Sequence, residues 1–496
     1  MVNDLLKAGG SGFAHLGASA LKSSHGGTEQ GYRSWGMFEF GRELKRLFGA
    51  DGIRPLRDGL TGGDQGLLDL LELPLLRSEG KAADVAAGRV GARDRAQRLL
   101  EAAIVWREIA RRSGEAVALR KAAATAETAA EAFDKSRRPD GWARARCEQG
   151  YCALLGAELF GDEGLNAAAE IAFREARKAS RGGLAAPLAD AALALIEGRR
   201  DLTTGDADAA GRFVARLAQP IAALQALVRR CPPARLLAAE ARLARADLLG
   251  AWGARLKDRD LVGAARDEAS EVAETMDLAY EPLTWARATL ARAQAATLLG
   301  EITGAPDLFA ASVTDLADVL DQLPREHSPL DWARTQVGLA QALQALAEES
   351  ASERAYEQAV TGYDRALVAL KRAPSLAVRA AAASNRALCL ARLAELTGDM
   401  AVLDAAESAF KIELSRLQAR RDPVGWALVQ LNLARIYEAR VELTRKDRGE
   451  RAAASVALNA ALDVFTEEGL RSLSVLAIEA LERLRLGASA PPRQFS

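Results

Sequence analysis

Pro329-Leu330-Asp331-Trp332-Ala333 is the stretch whose reading decides the fold, because the chain keeps returning to it. Near copies stand at Pro139-Asp140-Gly141-Trp142-Ala143, Pro282-Leu283-Thr284-Trp285-Ala286 and Pro423-Val424-Gly425-Trp426-Ala427. Weaker copies keep only the proline, at Pro187, Pro233 and Pro374. Successive prolines lie 48, 46, 49, 47, 45 and 49 residues apart. Self-similarity at one period marks a solenoid, in which each unit buries its apolar face against its neighbours.

Each unit reads as two helices. Proline suits the first turn, where its missing N–H is no loss. Ser328 followed by Asp331 has the spacing of a capping box, and Asp422 can cap the helix at Pro423. Helix A then carries a stripe at Ala333, Val337, Ala340 and Leu343, repeated as Ala427, Leu431, Ala434 and Tyr437. The third stripe position is small in all four tryptophan copies (Gly150, Ala293, Ala340, Ala434), which lets a neighbouring helix come close. Gly161, Gly304 and Gly398 fall where a left-handed cap ends helix A, and Leu165, Leu308 and Leu403 begin helix B. The recurrence of Trp142, Trp285, Trp332 and Trp426 with the period makes them packing residues.

The ends differ. Residues 1–91 are expected to be a glycine-rich arm with one or two short helices, the best of them Trp35 to Phe48. A second apolar run, Leu67 to Leu76, should break near Pro74. Residues 92–469 are expected to form about eight helical pairs, residues 470–486 a capping helix, and residues 487–496 a disordered tail.

Composition narrows the function. With 66 Lys+Arg against 67 Asp+Glu, the chain lacks the net basic charge of a general nucleic-acid binder. No glycine run forms a phosphate loop. Cys147, Cys152, Cys231 and Cys389 show no CxxC spacing, and only three histidines occur, so no metal site is expected and the cysteines read as small buried residues. No apolar run reaches the ~18 residues of a membrane helix, and no secretory signal is visible. The expected setting is the cytoplasm.

The chain resembles the tetratricopeptide repeat family. Leu339-Ala340 and Leu433-Ala434 match its helix A step, with Tyr437 at the tyrosine place. Ala169, Phe173 and Ala176 match its helix B step, as do Ala359, Tyr363 and Ala366, and Ala454, Leu458 and Ala461. The match is degraded at Ala406, Phe410 and Glu413 and at Ser312, Leu316 and Val319. The period departs from the family's ~34 residues and fits a long-period bacterial variant. The resemblance implies an all-α, right-handed solenoid of stacked antiparallel helix pairs, with helix A lining a concave face that binds extended peptides.

Two columns run along helix A. One holds Arg144, Arg287, Arg334 and Arg379. The other, seven residues on, holds Tyr151, Arg199, Arg245, Gln294, Gln341, Arg386 and Arg435. Every member of the second column can donate a hydrogen bond, which would suit an acidic or C-terminal peptide. The alternative is a solvated helix face. An enzyme would need titratable groups clustered in one pocket, which this pattern does not supply. The reading is therefore a non-catalytic interaction scaffold with no cofactor, no nucleic-acid partner and no membrane insertion. A sensor whose solenoid changes curvature on binding a peptide or ligand is the alternative, and self-association is left open.

Overall fold

The computed structural model describes residues 65–489, apart from 90, 163, 203–204, 232, 373–376, 418 and 420–422. The chain divides after Gly59 into two compact units, and every described residue belongs to the second, Leu60–Ser496. The expected helix at Trp35 to Phe48, the Asp422 cap, Pro374 and the tail beyond 489 lie outside the described residues.

The described residues are all-α. Two helices, α1 (Gln65–Leu70) and α2 (Leu73–Arg89), precede a pair formed by α3 (Ala92–Ser113) and α4 (Ala116–Ala132). Then come α5 (Pro139–Phe160), α6 (Gly164–Ala179), α7 (Ala185–Asp201), α8 (Ala207–Leu227), α9 (Ala234–Leu256) and α10 (Arg259–Thr275). They are followed by α11 (Pro282–Thr303), α12 (Pro306–Gln322), α13 (Pro329–Ser350), α14 (Glu353–Ala369), α15 (Ala377–Thr397) and α16 (Met400–Arg416). The last three are α17 (Pro423–Thr444), α18 (Glu450–Glu467) and α19 (Arg471–Ser489).

Each odd-numbered helix from α3 to α17 packs on the even one that follows it, and successive odd helices also pack on one another from α5 to α17. The odd helices therefore form one continuous wall with the even helices behind it. α19 covers the last pair, with Ala477, Ala480 and Leu481 buried against Ala454, Leu458 and Phe465. The stripe Ala333, Val337, Ala340 and Leu343 is buried. The small position has a physical cause: a Cβ on Gly150 would stand 2.6 Å from the Phe173 ring.

Several local expectations need correction. Pro74 does not end a helix. The break falls at Leu71 and Glu72, and Pro74 lies in the first turn of α2, which packs on α3. Ser328 makes no cap to the backbone; its hydroxyl donates to Asp331 Oδ2 at 2.7 Å. Side-chain caps stand instead on the even helices, at Asp206, Asp258, Ser352 and Asp399. The four periodic tryptophans are only half-buried. They pack on the core clusters, but Lys135 lies 4.1 Å from the Trp142 ring centre and Arg325 5.7 Å from that of Trp332. Among the described residues the fully buried tryptophan is Trp252, outside the repeat pattern.

Gly161, Gly304 and Gly398 take φ of 66°, 67° and 70°, as the turns require, whereas Ala351 fills the equivalent place after α13 at φ 49°. An L-residue is strained there by about 1 kcal/mol. Ala351→Gly is expected to raise the urea midpoint of unfolding, reflecting a gain in stability of about 0.5–1 kcal/mol. Trp252→Ala is expected to cost about 3–5 kcal/mol in the same experiment, and Trp332→Ala less, because part of its ring already faces water.

Candidate functional site

The odd-helix wall closes on itself. α3 contacts α13, and α1 contacts α11, although many helices separate each pair in sequence. One hydrophobic cluster joins Leu68, Leu100 and Leu159 to Leu290, Val337 and Leu393.

A buried polar network fixes this closure. Arg287 on α11 donates to Asp331 through Nε (3.1 Å) and Nη2 (2.7 Å), and Nη2 lies 3.5 Å from Glu108 on α3. Glu108 also accepts from Arg112 Nε at 2.8 Å. Arg112, wholly buried, donates to the carbonyls of Leu71 and Leu68 at 2.6 and 2.7 Å. Asp69 on α1 accepts from Thr284 N (3.0 Å) and Oγ1 (2.8 Å). His327 Nε2 lies 2.7 Å from the Asp69 carbonyl oxygen. A carbonyl can only accept, so Nε2 carries the proton. Two further ion pairs span the turn, Arg111 with Glu240 and Arg334 with Glu158.

Burial opposes charge on Glu108 and Asp331, but the guanidiniums around them outweigh it and hold both carboxyls well below the usual range. Asp69 differs: burial outweighs Arg287, Arg112 and the Thr284 hydrogen bond, and pushes its carboxyl up to about 6.

The closed turn surrounds a cavity of ≈ 850 Å³ that opens to solvent. Walls come from α3, α5, α7, α9, α11, α13 and α15. Of the eleven column residues, Arg199, Arg287, Gln294, Arg334 and Gln341 line it. Arg287 and Arg334 are already engaged by carboxylates.

The other six column residues do not line it. Tyr151 is packed edge-on against Phe173 at 5.1 Å with Arg107 above its ring. Arg144 lies 3.9 Å from buried Glu148. Arg245 bonds to Glu268 (3.0 Å from Nε) and Arg386 to Asp364 (2.6 Å), each on the adjacent even helix. Arg379 is half-buried on α15. Arg435 is exposed on α17, where burial of its surroundings and Arg392 disfavour its charge.

Sequence reasoning overlooked the cavity's carboxylates: Glu158, Glu240, Asp247, Glu301, Asp331 and Glu348. These six face four guanidiniums, those of Arg111, Arg199, Arg287 and Arg334. The lining thus carries two more negative than positive charges, opposite to the cationic wall that the columns suggested. One signal was available. Asp247 occupies the place along helix A that Leu343 and Tyr437 fill in their units. Asp247 is exposed to the cavity, and the protein mass around the cavity lifts its carboxyl to about 6 against the opposing pull of Arg199 and Arg334.

No family model matches the chain, and no curated protein matches its sequence. Solved structures with a similar course include a Rap protein complexed with competence and sporulation factor (TM-score 0.42, 11% identity, covering 79% of this chain and 99% of that one). Another is a monomeric mutant of IFIT1 with Gppp-AAAA (TM-score 0.42, 12% identity, 88% and 95% covered). A third is the human IFIT1 dimer with PPP-AAAA (TM-score 0.39, 12% identity, 87% and 95% covered). The fold itself stands on the helices described above.

A carboxyl raised in the folded state destabilises as it ionises, so the contribution of Asp247 worsens as pH rises from the unfolded value of 3.8 through about 6. Asp247→Asn is expected to melt like the parent at pH 3.5, below the unfolded value, and above it at pH 7.5. The gain is about 1 kcal/mol, discounted for water in the cavity. Calorimetry at the two pH values checks this.

Proposed function

We propose that this protein is a non-catalytic, long-period tetratricopeptide-like binding protein of the bacterial cytoplasm that takes a segment of a partner into the cavity of its superhelical turn. The observation that carries the reading is the cavity itself. Its volume lies in the range of ligand sites, it is walled by seven odd helices, and it mixes apolar surface at Leu243, Leu290 and Val337 with amides at Gln294, Gln341 and Asn385. Amides spaced along apolar walls suit an extended backbone, which needs both donors and acceptors. The excess of carboxylates disfavours nucleic acid, whose phosphates they repel. No cofactor enters the proposal.

Ala381 and Ala251 line the cavity and are not fully buried, so a larger side chain at either would enter the open space. The test incubates the immobilised full chain with a pool of random octapeptides and identifies retained peptides by mass spectrometry. Retention is expected to fall about ten-fold, about 1.4 kcal/mol, when both alanines become tryptophan with the helical circular dichroism unchanged. Retention of no peptide, or equal retention by the variant, would overturn the reading.

The ion pairs spanning the turn favour a second reading, a sensor. A ligand competing for Glu158 or Glu240 would release Arg334 or Arg111 and let the turn open. Small-angle scattering with the retained peptides separates the two, an unchanged radius of gyration denoting a rigid scaffold.

A further inference from the structure

We propose that the seam where the turn closes is a binding site for the carboxyl end of a short, leucine-rich acidic helix, filled in cis by α1, which thereby serves as a detachable strap on the turn. Three parts of the chain meet there: α3, the start of α11, and the turn that leads into α13.

The seam presents donors and α1 supplies acceptors. Arg112 on α3 donates through Nη1 to the carbonyl of Leu71 and through Nη2 to that of Leu68. Thr284 on α11 donates both its amide and its hydroxyl to Asp69 Oδ2. His327, just before α13, donates from Nε2 to the Asp69 carbonyl. All three donor residues are more than nine-tenths buried. With α1 gone, their N–H and O–H groups would lie in the seam without acceptors, and each such orphan costs more than an ordinary hydrogen bond gains. The seam therefore requires an occupant that carries acceptors. Leu68 supplies the apolar part of the fit, buried in the cluster that holds Leu100 and Leu290.

The chemistry is that of a helix end. The last carbonyls of a helix have no partner within it and carry the negative end of its dipole. The Arg112 guanidinium forks onto two of them. α1 has six residues, too few to hold a helix alone in water, so docking orders it. Its hold is modest, one buried leucine and five hydrogen bonds, and a segment with few buried apolar contacts opens at low free energy. The chain breaks at Leu71 and Glu72, and α2 is held separately on α3 through Leu73 and Leu76. α1 can thus leave while α2 stays packed. Arg112 also donates to Glu108, which Arg287 reaches from α11, so a departing strap disturbs the pairs that close the turn.

The probe is the end-blocked peptide of residues 65–72, Gln-Gly-Leu-Leu-Asp-Leu-Leu-Glu. It is added to the full chain carrying Leu68→Glu and Asp69→Ala, whose own strap no longer fits. This variant is expected to melt below the parent, and the peptide to raise its melting temperature saturably while leaving the parent's unchanged. A peptide with alanine in place of Asp69 should need about ten-fold more for the same effect, because it lacks the acceptor for the Thr284 amide and hydroxyl. A variant that ignores the peptide, or a parent that responds equally, would overturn the site. Hydrogen exchange of the parent keeps the test sharp if the variant folds poorly. The amides of Asp69, Leu70 and Leu71 should exchange together, at least about ten-fold faster than those of α3. Exchange at the rate of α3 would make α1 an inseparable part of the core and overturn the strap. Neither readout involves a cavity ligand.

Discussion

The Arg287 guanidinium is the constraint on which the rest of the structure depends. It lies on α11, binds Asp331 on α13, and reaches Glu108 on α3. With that third contact, and with Arg112 and Asp69 completing the same network, the wall returns on itself and surrounds a cavity. Buried ion pairs offer little net stability, because desolvation offsets most of their attraction. They discriminate strongly between arrangements, since any other register leaves a charge buried and unpaired. Hydrophobic burial along the repeats stabilises the solenoid; the polar network selects which turn of it meets which.

The same economy of charge shapes the cavity. Arginines that a linear reading aligns along a concave face are spent on holding neighbouring helices together, either across the turn, as Arg334 is with Glu158, or locally, as Arg245 is with Glu268 and Arg386 with Asp364. What remains facing open space is mostly acid. A column of one residue type on a repeat protein thus says little about the sign of its groove until each member's partner is known.

The two kinds of tryptophan make a parallel point about packing. The periodic ones mark the first turn of helix A, where an indole covers the junction between units and keeps an edge in water. Trp252, which no pattern singles out, is wholly buried near the end of α9. Recurrence identifies a structural role, and burial decides how much energy it carries.

The fold was legible because a solenoid is built from local rules. The period of the prolines, the apolar stripe, the small residue facing Phe173 or its equivalent, and the glycine turns all act within one unit or between neighbours. The sequence by itself therefore determined the helices, their pairing and the wall they form. The cavity was not legible, because it depends on contacts such as Asp69 to Thr284 and Arg334 to Glu158, 215 and 176 residues apart. Such contacts follow from the small rotation between successive units, added over five of them. No single residue encodes that rotation; only the tertiary structure decided where the turn closed, which arginines it consumed, and that Asp247 would face the space left inside.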